Sequence, residues 1–174
     1  MRDMINFYLE KGQIIKDRKV IRLSNEYLKK AKNNLLTMKI LSELNSNKKA
    51  RELLNIPSSY DSDEWVVICG YYAMYSAALA LISKIGYRSK NHTSTLFLLD
   101  EFYVKKKILE KEILDIIKNA VFNKEEIEKL SAARHKREIA QYSVTKRTTK
   151  EIAEKIKKDA YDFINITESI VLEN

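Results

Sequence analysis

Three glycines and one proline in 174 residues leave this chain almost without the residues that build tight turns and hairpins. That scarcity argues against a β-rich fold. There is no glycine-rich phosphate loop and no Gly-x-Ser-x-Gly elbow. The single cysteine, Cys69, excludes an internal disulfide and fits a reducing interior. Set among small residues, it reads as a packing residue rather than a nucleophile. Two histidines and one cysteine do not assemble a zinc site, and no metal or other cofactor is expected. The first residues, MRDMINFYLEKG, form an amphipathic segment without the apolar stretch of a signal peptide, so the expected compartment is the cytoplasm.

What is present is helical in character. Ala, Leu, Ile, Lys and Glu dominate, which predicts an all-α protein. A chain of this length is expected to form one domain with a core of its own. In a protein that is 32% charged, Trp65–Ser83 holds nineteen residues without a formal charge. That length approaches the roughly twenty apolar residues of a membrane span. Its character does not, because it includes three tyrosines, two serines and a glycine. Trp65, Ile68, Tyr72, Tyr75, Leu79 and Ile82 share one helical face, and Cys69, Ala73, Ser76 and Ala80 make a neighbouring stripe of small residues. The small stripe lets another helix approach closely, and Gly70 is best tolerated where something packs on it. The run therefore predicts the central helix of a soluble bundle.

Further helices follow from periodicity and from end signals. One is expected over about Arg2–Lys11. A second covers Asn25 to about Leu44, behind Ser24 as N-cap, with Leu28, Ala31, Leu35, Met38 and Leu41 or Ile40 in helical register. Residues 48–54 suit a short helix and Ile56–Asp61 a loop. Asp61 with Glu64 suggests a capping box before the central helix, and Gly86 its stop. Separate helices are then expected through Leu96–Phe102, through Leu109–Ala120, after Asn123 with Glu126, and after Thr148 with Glu151. No stretch reads as a strand. The expected architecture is an up-and-down bundle of about five to seven helices.

The charge is uneven. The chain carries a net +8, and Arg134–Lys158 alone holds nine Lys or Arg against three Glu, a net +6. Such a concentration suits a polyanion, most simply RNA or DNA. A solvated lysine-rich helix face accounts for it equally well. Within the stretch, Arg134, Arg137 and Gln141 recur at spacings of 3 and 4, which is one helical face, and guanidinium forks match phosphate geometry. Lys146 and Arg147 extend this phosphate- or RNA-binding set. The competing reading is an exposed helix with an Arg134–Glu138 ion pair. His135, and His92 further back, are candidates for proton transfer.

The order of these pieces resembles the HEPN family, small helical domains found beside minimal nucleotidyltransferases. The resemblance rests on a long amphipathic second helix and on Tyr71-Tyr72-Ala73-Met74-Tyr75-Ser76-Ala77-Ala78. It continues through Ser89-Lys90-Asn91-His92, Arg137-Glu138-Ile139-Ala140-Gln141-Tyr142 and a closing amphipathic helix. It covers about residues 22–172, leaving 1–21 as an N-terminal helical extension to a bundle over 22–174. The resemblance implies a homodimer. In active members an Arg-x4–6-His motif from two subunits cuts RNA without metal, by attack of the 2′-OH on the adjacent phosphate. Arg137 matches the arginine, as a phosphate contact. Tyr142 stands where the histidine would be, and a phenol is a poor base at neutral pH. His135 precedes Arg137 and points roughly 160° from its face. Arg137 and Tyr142 are thus the candidate catalytic residues of a degraded motif.

Three functions remain open on the sequence. One is a non-catalytic RNA- or nucleotide-binding partner of a minimal nucleotidyltransferase. Another is a metal-independent endoribonuclease of a toxin–antitoxin pair. The third is a homodimeric scaffold.

Overall fold

The structure, a computed structural model, describes the backbone of residues 2–134 and 142–173, and the side chains of 4–125 and 149–173. Its α-helices are α1 (Arg2–Glu10), α2 (Ser24–Ser46), α3 (Lys48–Leu53), α4 (Asp63–Lys84), α5 (His92–Leu99), α6 (Lys111–Arg134) and α7 (Tyr142–Leu172). A 3₁₀ turn at Arg18–Leu23 leads into α2, and a π-helical turn at Asp100–Val104 continues α5. The architecture is all-α, with seven helices among the described residues.

Four long helices make the core, running alternately up and down. Ser24 at the start of α2 donates to the Ala80 carbonyl near the end of α4, and Asn45 at the end of α2 donates to Asp63 at the start of α4. These two helices are therefore antiparallel. Lys84 at the end of α4 donates to the Val171 carbonyl at the end of α7, so α4 and α7 run the same way. Gly70 marks where three helices meet. A Cβ placed there would stand 3.0 Å from Met38 Sδ on α2 and 3.3 Å from both γ-carbons of Ile156 on α7. Absence of a side chain is what lets the helices approach.

The interior faces follow the helical period. Leu28, Ala31 and Met38 of α2 are buried, as are Ile156, Ala160, Phe163 and Ile164 of α7. On α2 it is Leu41 that packs on the core, while Ile40 is exposed. α4 is buried on most sides, with Val66, Val67, Tyr71, Met74, Leu81 and Ile82 all enclosed, but one face that runs from Trp65 to Leu79 is left partly open. Gly70, Ala73, Ala77 and Ala80 are enclosed, whereas Trp65 and Tyr72 are 56% and 44% exposed and Ile68, Tyr75 and Leu79 are half-buried. Small residues admit α2 and α7, while Ile82, expected on the same face as Trp65 and Tyr72, is buried near the end of the helix. Among the described residues α4 is the one helix long and apolar enough to cross a membrane. Yet 72% of its apolar window is buried by the rest of the protein, as in a core helix.

Three sequence expectations are corrected. First, strands do form. Ile14–Lys16 (β1) pairs antiparallel with Tyr87–Ser89 (β2), in the register Ile14 to Ser89 and Lys16 to Tyr87. Gly12 and Gly86, at φ +61° and +76°, supply the turns that lead into β1 and into β2. Second, α6 runs unbroken through Asn123, and α7 begins at Tyr142 rather than near Thr148. The Asn123/Glu126 and Thr148/Glu151 patterns imitate helix starts inside longer helices, where buried Ile117, Ala120 and Ala153 hold the register. Third, Ser24 is the first residue of α2 and spends its hydroxyl on Ala80 instead of capping, and Ser62 rather than Asp61 is the N-cap of α4.

Candidate functional site

Tyr71 and Tyr75 are four residues apart, so they share one edge of α4, with rings stacked at 5.9 Å between centroids. Against them comes the first turn of α5. Its position is set by Asn91, whose side chain accepts from Ser94 N–H at 2.8 Å while Ser94 Oγ accepts from Asn91 N–H, a reciprocal cap. The next residue is His92. Its Nε2 is hydrogen-bonded to the Tyr71 hydroxyl, and its ring lies 4.7 Å from that of Tyr75. Beneath, Thr95 links the hydroxyls of Ser89, at 2.6 Å, and Tyr75, at 3.3 Å. Lys124 of α6 holds its ammonium 5.5 Å from the centre of the Tyr71 ring, a cation–π distance.

Burial pushes the His92 pKa below the ordinary value of 6.5; Glu125 pulls it up and Lys124 pushes it further down. The imidazole is thus neutral at neutral pH, and its Nε2 is committed to Tyr71. A folded-state pKa below the unfolded value means that the unfolded chain takes up the proton more readily. This contribution to stability is present above pH 6.5 and is lost as pH falls toward the folded pKa. Asp63 and Asp159, whose pKa values burial raises above 3.8, act lower and in the opposite direction. Urea midpoints measured between pH 7.5 and about 5.5 are therefore expected to fall with pH, and to fall less in His92→Asn. Equal slopes in the two proteins would contradict the assignment.

The site residues expected from the sequence fall into two groups. His92 is placed with Tyr71, Tyr75 and Lys124. Arg134 lies ten residues beyond Lys124 on α6, about 15 Å along the axis at 1.5 Å per residue. Arg134, Tyr142, Lys146 and Arg147 have described backbone at the end of α6 and the start of α7, but their side chains lie outside the described residues. His135, Arg137 and Gln141 lie wholly outside them. α6 and α7 are neighbours that line a common groove, so Arg134 and Tyr142 mark the same end of a helical hairpin. Sequence reasoning missed Lys124 and the partnership of His92 with Tyr71 and Tyr75. The Asn91/Ser94 spacing was a usable signal for the cap that positions His92. Cys69, half-buried with its thiol pKa raised by burial, is no activated nucleophile.

The model of the HEPN domain family matches residues 18–170, from the 3₁₀ turn before α2 to the last turn of α7. This chain belongs to the HEPN domain family. The HEPN core thus includes the tyrosine–histidine cluster and α6 and nearly all of α7, while α1 and β1 precede the match. The chain is also similar to a UPF0332 protein of Archaeoglobus fulgidus. The two are 33% identical over 104 residues, covering 60% of this HEPN protein and 72% of that relative. No solved structure matches it.

Proposed function

We propose that this HEPN protein is a non-catalytic module that binds RNA or a nucleotide, in the cytoplasm, as a helical partner of a minimal nucleotidyltransferase. The observation that carries this reading is the placement of His92. The base that strand cleavage needs is absent from the position five residues after Arg137, where Tyr142 stands. The histidine that α5 supplies is hydrogen-bonded to Tyr71, whose ring also meets the ammonium of Lys124 on α6. Anion binding draws support from the basic stretch Arg134–Lys158, which leaves Lys150, Lys155 and Lys158 exposed on α7. A homodimer is part of the proposal, with the Trp65–Tyr72 face of α4 as the surface for a second copy. That surface is also what a purely scaffolding role would use.

The metal-independent endoribonuclease is the second reading. It is favoured by Arg134 at the end of α6 and Tyr142 at the start of α7, with Lys146 and Arg147 following in the first turns of α7. Incubating labelled RNA in EDTA separates the two. The binding module gives saturable complexes that weaken with salt and lose about tenfold in affinity in Arg137→Ala, with no new RNA ends. Fragments ending in 2′,3′-cyclic phosphate, lost in Arg137→Ala, would replace the first reading with the second.

A further inference from the structure

α6 and α7 part along their outer sides to leave a groove of about 380 Å³, lined by Asn119, Phe122, Asn123, Glu151, Ile152 and Lys155. The volume falls in the roughly 300–1,000 Å³ range of small-ligand sites. On α6 the groove lies on a different side from the His92 cluster, because Lys124 follows Asn123 by about 100° of helical turn. Phe122 is 58% exposed, which leaves a flat apolar face beside the first half of α7, part of the basic stretch Arg134–Lys158. Asn119 and Asn123, four residues apart, put two carboxamides on the same wall. A carboxamide presents a donor and an acceptor side by side, the complement of the N6–N7 edge of adenine. On the facing wall Lys155, exposed, adds a cation for a phosphate, one turn along α7 from the Glu151 carboxylate, which a phosphate must avoid.

We infer that this groove holds an unpaired adenine of single-stranded RNA, stacked on Phe122, read by Asn123 and Asn119, with its phosphate toward Lys155. Each wall supplies a different part of one nucleotide: stacking and base edge from α6, charge from α7. This inference rests on the RNA-binding reading above and names the element within it that selects the base.

The test is fluorescence anisotropy of the full chain with labelled oligoadenylate and oligouridylate, each at two salt concentrations. Phe122→Ala is expected to weaken oligoadenylate binding about tenfold while keeping the wild-type salt dependence, since it removes stacking and no phosphate contact. Phe122→Trp retains binding, and Asn123→Ala removes the preference for adenine over uracil. Lys155→Ala lowers the salt slope by about one. Both Phe122 variants keep the wild-type melting temperature, because the ring is exposed. If wild type binds RNA and Phe122→Ala binds it equally, the groove assignment is overturned and the RNA reading stands. If wild type binds no RNA, both fall together. If Phe122→Ala keeps RNA affinity but loses self-association, the groove belongs to a second copy of the chain instead.

Discussion

Gly70→Val is expected to cost about 3 kcal/mol of stability, with the unfolding midpoint falling accordingly and the helix content unchanged below it. A Cβ alone would already touch Met38 Sδ at 3.0 Å and both γ-carbons of Ile156 at 3.3 Å. The thioether end of Met38 yields cheaply, since its chain has three soft torsions. Ile156 does not, because a β-branched side chain in a helix has essentially one rotamer, and Ile156 is fully buried. Gly70→Ala should therefore land between glycine and valine. It gains about 1 kcal/mol in helix propensity and loses a similar or larger amount to crowding. The order Gly, Ala, Val in falling stability is the signature of a crossing point. Pairing Gly70→Val with Ile156→Ala tests the cause: the double variant should be more stable than the sum of the single losses implies. A Gly70→Val protein that melts with the wild type would show that the helices do not meet there.

The second large effect concerns association. The wild type is expected to scatter light as a dimer at micromolar concentration, and Trp65→Glu with Tyr72→Glu as a monomer, its dissociation constant raised about a hundredfold or more. Trp65 and Tyr72 lie two turns apart on the least buried face of α4, with Ile68, Tyr75 and Leu79 filling the stripe between and beyond them. A helix of 22 residues is about 33 Å long, enough for two copies to bury one another's apolar stripe. Carboxylates placed there would be desolvated without partners in a dimer and remain hydrated in a monomer. Tyr72 touches Tyr71, with centroids 4.9 Å apart, so melting of the variant must be followed as well. A wild type that scatters as a monomer leaves α4 without a second copy and removes the dimer.

The helices were legible where apolar residues kept one face over several turns, as Leu28–Ala31–Met38 and Ile156–Ala160–Phe163 do. End signals were less dependable. Asn123 with Glu126 has the spacing of a capping box, yet burial of Ile117 and Ala120 carries α6 straight through it. The β1–β2 ribbon left no readable pattern, because three residues are too few to establish a period of two. Apolar patterning found the exposed stripe of α4 but not its exposure. The close approach at Gly70 was legible from the small stripe beside it, but not that Met38 and Ile156 would make it. The same limit applied at the site. Asn91 and Ser94 announce their cap locally, but the bond from His92 to Tyr71 and the approach of Lys124 depend on how three helices pack. Arg137 and Tyr142 stood out through the resemblance to a family motif; His92 acquired its surroundings only in three dimensions.

The ribbon also bears on how the chain folds. β1 meets β2 only after residues 17–86, which include the whole α2–α4 hairpin, have been brought into a closed loop. The entropy of closing so long a loop is offset chiefly once that hairpin is already compact. The N-terminal arm is thus the last segment to dock, and burial of Ile14 completes the core rather than starting it. In pulse-labelling hydrogen exchange, the ribbon amides of β1 and β2 should become protected after those of α2 and α4.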